Sequence, residues 1–210
     1  VTLTAWQDDF WRTLPVYRVD IQGLNEQPMN IQWAGSLSHL QEILTRQGWL
    51  QAPELGPSSI MNWLAPEPDI AHLPILPQVH DGQHHELLLD HQNGPADKLT
   101  VLRLWPANVE ISPDATSLWI GTVSYLTIDQ SLYLISSLKT AMDFDGPLAA
   151  LQEVLAQDVN IRTVQRDVSL KPHTGWDGKV LLMWEQGMGG EKQALKRLRV
   201  GTGSWHQRTP

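Results

Sequence analysis

The sequence predicts an α+β fold: a mainly antiparallel sheet of roughly six to eight strands, with two or three helices packed on it. Three observations carry this expectation. Segments with the period-two alternation of strands outnumber segments with helical spacing. Asp81-Gly82 is the strongest hairpin signal in the chain, because that dipeptide tolerates the positive φ of a type I′ turn. The two clearest helices, predicted over 37–47 and 147–157, do not alternate with strands as βαβ units would. Both are expected to cover one face of the sheet.

Along the chain, residues 16–21 largely alternate apolar and polar and stop at Gly23. Residues 29–33 do the same, so these two segments are expected to pair. Leu37, Leu40, Ile43 and Leu44 then recur at helical spacing, Ser36 or Ser38 can cap the start, and Gly48 ends the run. With Gly48 at the left-handed position, Trp49 falls where a residue folds back on Leu44, the apolar clasp of a Schellman ending. A further short helix is expected around 58–64. Pro66, Pro68, Pro74 and Pro77 make 65–78 an ordered connection, because proline lacks a donor and fixes φ.

The Asp81-Gly82 turn joins 77–80 to 83–91, and the next strands are 99–105 and 118–126. Residues 131–140 suit either a strand or a helix. Pro147 then stands in the first turn of a helix whose Leu148, Leu151, Val154 and Leu155 share one face. Strands over 160–168 and 179–184 follow, the latter after the turn Gly175-Trp-Asp-Gly178. Gly187-Met-Gly-Gly190 separates a single domain over 1–190 from a basic tail over 191–210.

The 210 residues are 41% hydrophobic and 18% charged, which excludes a disordered tail, a fibrous repeat and a disulfide scaffold. The formal net charge of −8 is uneven. Lys192, Lys196, Arg197, Arg199 and Arg208 against Glu191 give the tail a local +4, leaving −12 for 1–190. An acidic body is repelled by phosphate backbones, so no nucleic-acid partner is expected. The tail suits a basic amphipathic helix on lipid headgroups or a solvated end. With no Cys, disulfides, thiolate nucleophiles and zinc–cysteine sites are all absent, which is compatible with an oxidising compartment. No apolar run reaches the ~18 residues of a membrane-spanning helix. A start at Val1 reads as a fragment of a larger protein. Trp6, Phe10 and Trp11 among Asp8, Asp9 and Arg12 suit either the interface beside a membrane span or an amphipathic helix packed on the domain.

The histidines carry the main chemical signal. His80, His84, His85 and His91 fall close together with Asp81, Glu86 and Asp90 among them. Across the turn His80 faces Gln83, His85 lies on the same face, and His84 points away with Glu86. Alternation therefore splits the cluster, and a metal held by His80 and His85 would need a distant ligand such as His72 or Asp97. The His after the His85-Glu86 pair comes six positions on, so the two imidazoles share no helix face. No Gly-x-Ser-x-Gly elbow exists, and Gly201-Thr-Gly-Ser-Trp205 has no strand before it. Asp143 and Asp145 are accounted for as capping and first-turn charges of the helix at Pro147. Trp33, Trp105, Trp119 and Trp184 lie in predicted strands and are expected in the core. Trp63 and Trp176 lie in or beside loops, where exposed rings are more plausible, although packing is favoured even there. No catalytic residue and no cofactor are assigned.

Several strings resemble a known family when taken in order. They are Met29-Asn-Ile-Gln-Trp-Ala-Gly-Ser-Leu37 before a helix ending in Gly48-Trp49, then Leu73-Pro-Ile-Leu-Pro-Gln78 leading to His80-Asp-Gly82 and Glu86-Leu-Leu-Leu89. Leu102-Arg-Leu-Trp-Pro106, Leu118-Trp-Ile-Gly-Thr-Val123 and Trp176-Asp-Gly-Lys-Val-Leu-Leu182 complete the set. The set, over about 10–185, resembles the LssY C-terminal domain, a bacterial module often carried after a DedA-type membrane domain and a type 2 phosphatidic acid phosphatase domain. Its most specific pieces are Gln32-Trp33-Ala34-Gly35 and Arg103-Leu-Trp105.

That resemblance implies context more than mechanism. The expected function is a non-catalytic accessory or ligand-sensing domain of a bacterial membrane protein of the lipid-phosphate phosphatase or DedA type. The competing expectation is a hydrolase or metal-binding domain using the His80–His91 segment. Expected partners are the protein's own membrane domains or other envelope proteins, and a lipid headgroup as ligand. The expected place is the periplasmic side of the inner membrane, with the cytoplasm as alternative. A ligand groove is expected beside 65–78 and the Asp81-Gly82 hairpin, with Trp63, His72, His80 and His84 as contacts. The plainer alternative is that the prolines stiffen a crossing loop and the histidines face water.

Overall fold

The structure, a computed structural model, describes residues 1–52, 69–92, 97–132, 135–168 and 175–188. The helix expected over 58–64, Trp63 and the tail 191–210 lie outside these residues. The chain enters through helix α1 (Leu3–Asp8) and a 3-10 turn over Phe10–Thr13. Strands β1 (Tyr17–Val19), β2 (Asn25–Pro28) and β3 (Ile31–Ala34) lead to helix α2 (Leu37–Arg46). After β4 (Leu50–Gln51) and a 3-10 turn over Ile70–His72 come β5 (Val79–His80), β6 (Gln83–His84) and β7 (Leu87–His91). The long strands β8 (Lys98–Ile111) and β9 (Thr116–Leu132) follow, then β10 (Ile135–Thr140). Helix α3 (Asp145–Leu155) precedes β11 (Asn160–Gln165) and β12 (Lys179–Trp184).

Eight strands form the main sheet in the order β11-β12-β3-β9-β8-β7-β4, with β10 also paired to β9. Every pairing is antiparallel except β12 with β3. The α+β fold with a mainly antiparallel sheet is therefore the observed one, and 131–140 contributes the strand β10.

Two local expectations are corrected. The segment at 16–21 does not pair with 29–33: β1 pairs with β2 in a separate ribbon, Tyr17 opposite Pro28 and Val19 opposite Asn25. β3 instead lies inside the main sheet between β12 and β9. All four β3 residues are buried, so this strand needs partners on both edges, and they come from distant parts of the chain. Residues 83–91 are also not one strand. β6 closes the short ribbon with β5, and the chain then turns into the main sheet as β7.

Strand alternation sends one set of side chains to each face of the sheet. One face carries Ile31, Trp33, Leu89, Leu102, Leu104, Val123, Leu181 and Met183, covered by Leu40, Ile43 and Leu44 of α2 and Leu148, Leu151 and Leu155 of α3. Both strong helices thus cover the same face, as expected. The opposite face carries two apolar clusters. Trp105, Leu118, Ile120, Val180 and Leu182 pack with Trp6, Trp11 and Met29. Leu99, Val101 and Leu126 pack with Ala52, Ile70 and Ile75.

Local chemistry fixes the helix ends. Ser36 Oγ accepts from the His39 amide, and the Glu185 carboxylate accepts from Ser36 N at 2.7 Å. At the other end Trp49 N donates to Leu44 O at 3.0 Å and Gly48 N to Thr45 O at 3.0 Å, a complete Schellman pair. Gly48 holds φ at +87°. Asp143 Oδ1 accepts from Gly146 N at 2.9 Å, and Asp145 lies in the first turn of α3. At the N-terminus Trp6 is 0% exposed and donates through Nε1 to Gln32 Oε1 at 2.8 Å, while Gln32 Nε2 donates to Trp11 O. Burying an indole contributes roughly 4–6 kcal/mol gross, so Trp6 and Trp11 hold this segment on the sheet.

Candidate functional site

On the face away from α2 and α3, Arg103 stands on β8 between Val101 and Trp105. It therefore divides the two apolar clusters of that face. Directly opposite it on β9 is Thr122, with Ser124 opposite Val101. Thr122 and Ser124 are both 1% exposed, and the Ser124 hydroxyl has no hydrogen-bond partner among the described residues. Gly121 lets the strands approach here: a Cβ on it would stand 2.1 Å from Arg103 O.

The β1–β2 ribbon and the β5–β6 hairpin bring further polar groups to Arg103. Arg18 of β1 donates through Nη1 to Val79 O at 2.8 Å and through Nε to Gln27 Oε1 at 2.6 Å. His80 is buried edge-on to the Trp105 ring at 6.2 Å, and its Nδ1 accepts from Val19 N at 3.1 Å. His85 lies edge-on to the same indole at 6.1 Å, with Nδ1 at 3.3 Å from Gln78 O. These bonds assign the neutral tautomers. Nδ1 of His80 accepts, so its Nε2 carries the proton; Nδ1 of His85 meets a carbonyl, so its Nε2 has the lone pair. Burial lowers both imidazole pKa values, with Asp81 opposing and Arg18 adding at His80, and with Arg103 adding at His85.

Three buried arginines show why Arg103 stands out. Arg166 donates to the carbonyls of Arg12, Trp11, Leu14 and Pro15 and packs its guanidinium on the Trp11 ring. Arg18 has Gln27, Val79 O and, at 3.8 Å, the Glu26 carboxylate. Arg103 is 2% exposed and forms no hydrogen bond or ion pair among the described residues. Burial pushes its pKa down to about 9, with Arg18 adding to this, so it remains a cation at neutral pH. Trp105 Nε1, two residues along the same strand, and Gln78 Oε1 are also buried without partners among the described residues. Leaving a buried charge unanswered costs several kcal/mol, so this arrangement favours an anion arriving from outside.

The residues expected at a ligand groove divide accordingly. His80 faces the Arg103 cluster, joined by His85. His84 is exposed on β6, and His91 lies on the opposite sheet face stacked on Trp49 at 5.2 Å. His72 ends the 3-10 turn over Ile70–His72, and Trp63 falls outside the described residues. Trp176, offered as a candidate exposed ring, is 4% exposed and donates to Lys179 O. Among the described residues no three of His, Asp and Glu come together to hold a metal ion. Sequence reasoning missed Arg18, Gln78 and Arg103 as site residues. The available signal was a charged residue at a core-facing position inside the apolar run 99–105.

Two open grooves lie elsewhere. One of about 670 Å³ runs beside the β8–β9 turn, lined in part by Asn108, Glu110, Ser117 and Trp119. An apolar one of about 410 Å³ is lined in part by Val16, Tyr17, Val19 and Val168. Neither includes a histidine or a buried polar atom lacking a partner. No helix among the described residues is long and apolar enough to cross a membrane.

Comparison with known proteins gives a family match. No curated protein and no solved structure matches the chain. The family described as LssY C-terminus matches residues 11–161, a span from the 3-10 turn after α1 into β11 that includes Arg18, His80, His85 and Arg103. β12, which completes the sheet beside β3, lies beyond the matched span. The chain is a member of the LssY C-terminal family.

Proposed function

We propose that this domain is a non-catalytic accessory domain that senses an anionic ligand, within a bacterial membrane protein of the lipid-phosphate phosphatase or DedA type. The observation supporting the ligand is Arg103: a buried cation without a counter-charge among the described residues, flanked by Arg18 and two neutral imidazoles. Support for the membrane-protein setting is the family membership, since the resemblance implies a place after membrane domains of these types. The partners in this reading are the protein's own membrane domains or other envelope proteins, and the place is the periplasmic side of the inner membrane. Topology reporters fused to the full-length protein test that placement; a cytoplasmic signal would overturn it.

Thermal unfolding of the 210-residue chain against phosphate, sulfate and simple carboxylates tests the sensing function. A bound anion at a hundredfold excess over its Kd adds about 2.7 kcal/mol to stability. We expect at least one anion to raise the Tm, with no turnover of phosphate esters. Flat responses to every anion, or ester hydrolysis abolished by one substitution, would overturn the reading.

A further inference from the structure

We propose that Arg18 and Arg103 together form a site for a phosphomonoester dianion. The inference rests on the anion-sensing reading above and names the chemical class of its ligand. Two like charges held near each other inside a protein repel until a group of opposite charge lies between them. Arg103 has no partner among the described residues; Arg18 has two neutral acceptors, Glu26 at 3.8 Å, a side chain 42% exposed and screened by water, and the more distant Asp20. Among the described residues the charge of Arg103 is unanswered and that of Arg18 only partly screened, so more than one positive charge is open to a ligand, which suits charge −2 better than a carboxylate or a phosphodiester of charge −1.

The donor set agrees with this charge count. A guanidinium offers a planar fork that matches two oxygens of a phosphate, and two such forks from different strands can hold a tetrahedral group on two sides. Trp105, two residues from Arg103 on β8, has a buried N–H without a partner among the described residues. His80 Nε2 carries a proton, as the bond from Val19 N to Nδ1 requires. The arginines sit on separate supports, β8 in the rigid sheet and β1 in the ribbon. Val79 O on the β5–β6 hairpin orients Arg18. Arg103 forms the fixed half of the clamp and Arg18 the adjustable half. A soluble phosphomonoester and the headgroup of a phosphatidate share this chemistry.

Calorimetry on the 210-residue chain at about pH 8, above the imidazole range, compares methyl phosphate with dimethyl phosphate. We expect the monoester to bind at least about tenfold tighter, the size of one charge-assisted contact. Arg18→Gln should erase most of that preference, and Arg103→Gln should abolish binding, with circular dichroism confirming that each variant folds. Phosphatidylcholine vesicles with and without phosphatidate identify the source. Binding only to vesicles that contain phosphatidate, lost in Arg103→Gln, assigns the headgroup; binding of methyl phosphate alone assigns the soluble ester. Equal affinity for monoester and diester, or a preference unchanged in Arg18→Gln, would overturn the dianion site while leaving anion sensing in place. If no anion binds at all, both fall.

Discussion

The amide of Val19 donates to Nδ1 of His80 at 3.1 Å, so the side chain of one ribbon supplies the acceptor for the backbone of another. Asp81 N to Val19 O and Arg18 Nη1 to Val79 O complete a three-bond clip between β1 and the β5–β6 hairpin. The clip requires a neutral imidazole, because protonation at Nδ1 replaces the acceptor with a donor. Burial, the largest influence on His80, lowers its pKa; Asp81 opposes this and Arg18 adds to it. With the folded pKa below the unfolded ~6.5, this stabilisation is fully present above ~6.5 and is lost as pH falls through the folded pKa. We therefore expect the Val19 and Asp81 amides to lose hydrogen-exchange protection on acidification before the amides of β8 and β9 do. Loss of protection at the same pH in all of them would show that the clip is not the weak point.

Asp90 behaves oppositely. It lies on β7 opposite Val101, 7% exposed, and burial raises its pKa to about 6. Here the folded pKa lies above the unfolded value, so stability is present below ~4 and declines as pH rises through about 6. Asp90→Asn should be nearly neutral in effect near pH 4 and stabilising by roughly 1–3 kcal/mol near pH 8. Urea unfolding at the two pH values checks this. Destabilisation at the higher pH would mean that the ionised carboxylate has a favourable role in the fold.

Gly48 combines φ of +87° with the imidazole of His91 3.3 Å from where a Cβ would stand. Gly48→Ala should cost about 1–2 kcal/mol, from the left-handed strain and the tight contact together. The measurement is the denaturant midpoint at unchanged m. A cost confined to a few tenths would show that the α2 ending can relax.

Much of this architecture was legible because its signals are local. The spacing of Leu37, Leu40, Ile43 and Leu44 with Gly48-Trp49 describes α2 and its ending together. Asp81 and Gly82 adopt φ of +48° and +77°, the left-handed pair that a type I′ turn needs. Strand partnership is not local: nothing in the alternation of 29–33 shows that its neighbours are β12 and β9. Gln32 reads as the solvent side of a half-buried strand, yet it is 1% exposed because Trp6 and Trp11 O supply its partners. The site was half legible. His80 carries a visible signal beside its turn, whereas Arg18 and Arg103 become neighbours only through the tertiary fold.

Arg166 supplies the control for the central claim, since its guanidinium serves four backbone carbonyls. Arg166→Met leaves those acceptors without a donor and should destabilise the chain by roughly 3 kcal/mol or more. Chemical unfolding should detect this with or without phosphate.

The most direct test is the stability of Arg103→Met, measured by chemical unfolding with and without phosphate. Arg103 serves no acceptor among the described residues, so removing its buried charge should leave the ligand-free chain as stable or more stable, by up to a few kcal/mol. The same variant should lose the stabilisation that phosphate gives the unsubstituted chain. A ligand-free Arg103→Met that is several kcal/mol less stable, or one that phosphate still stabilises fully, would contradict a ligand-binding role for Arg103.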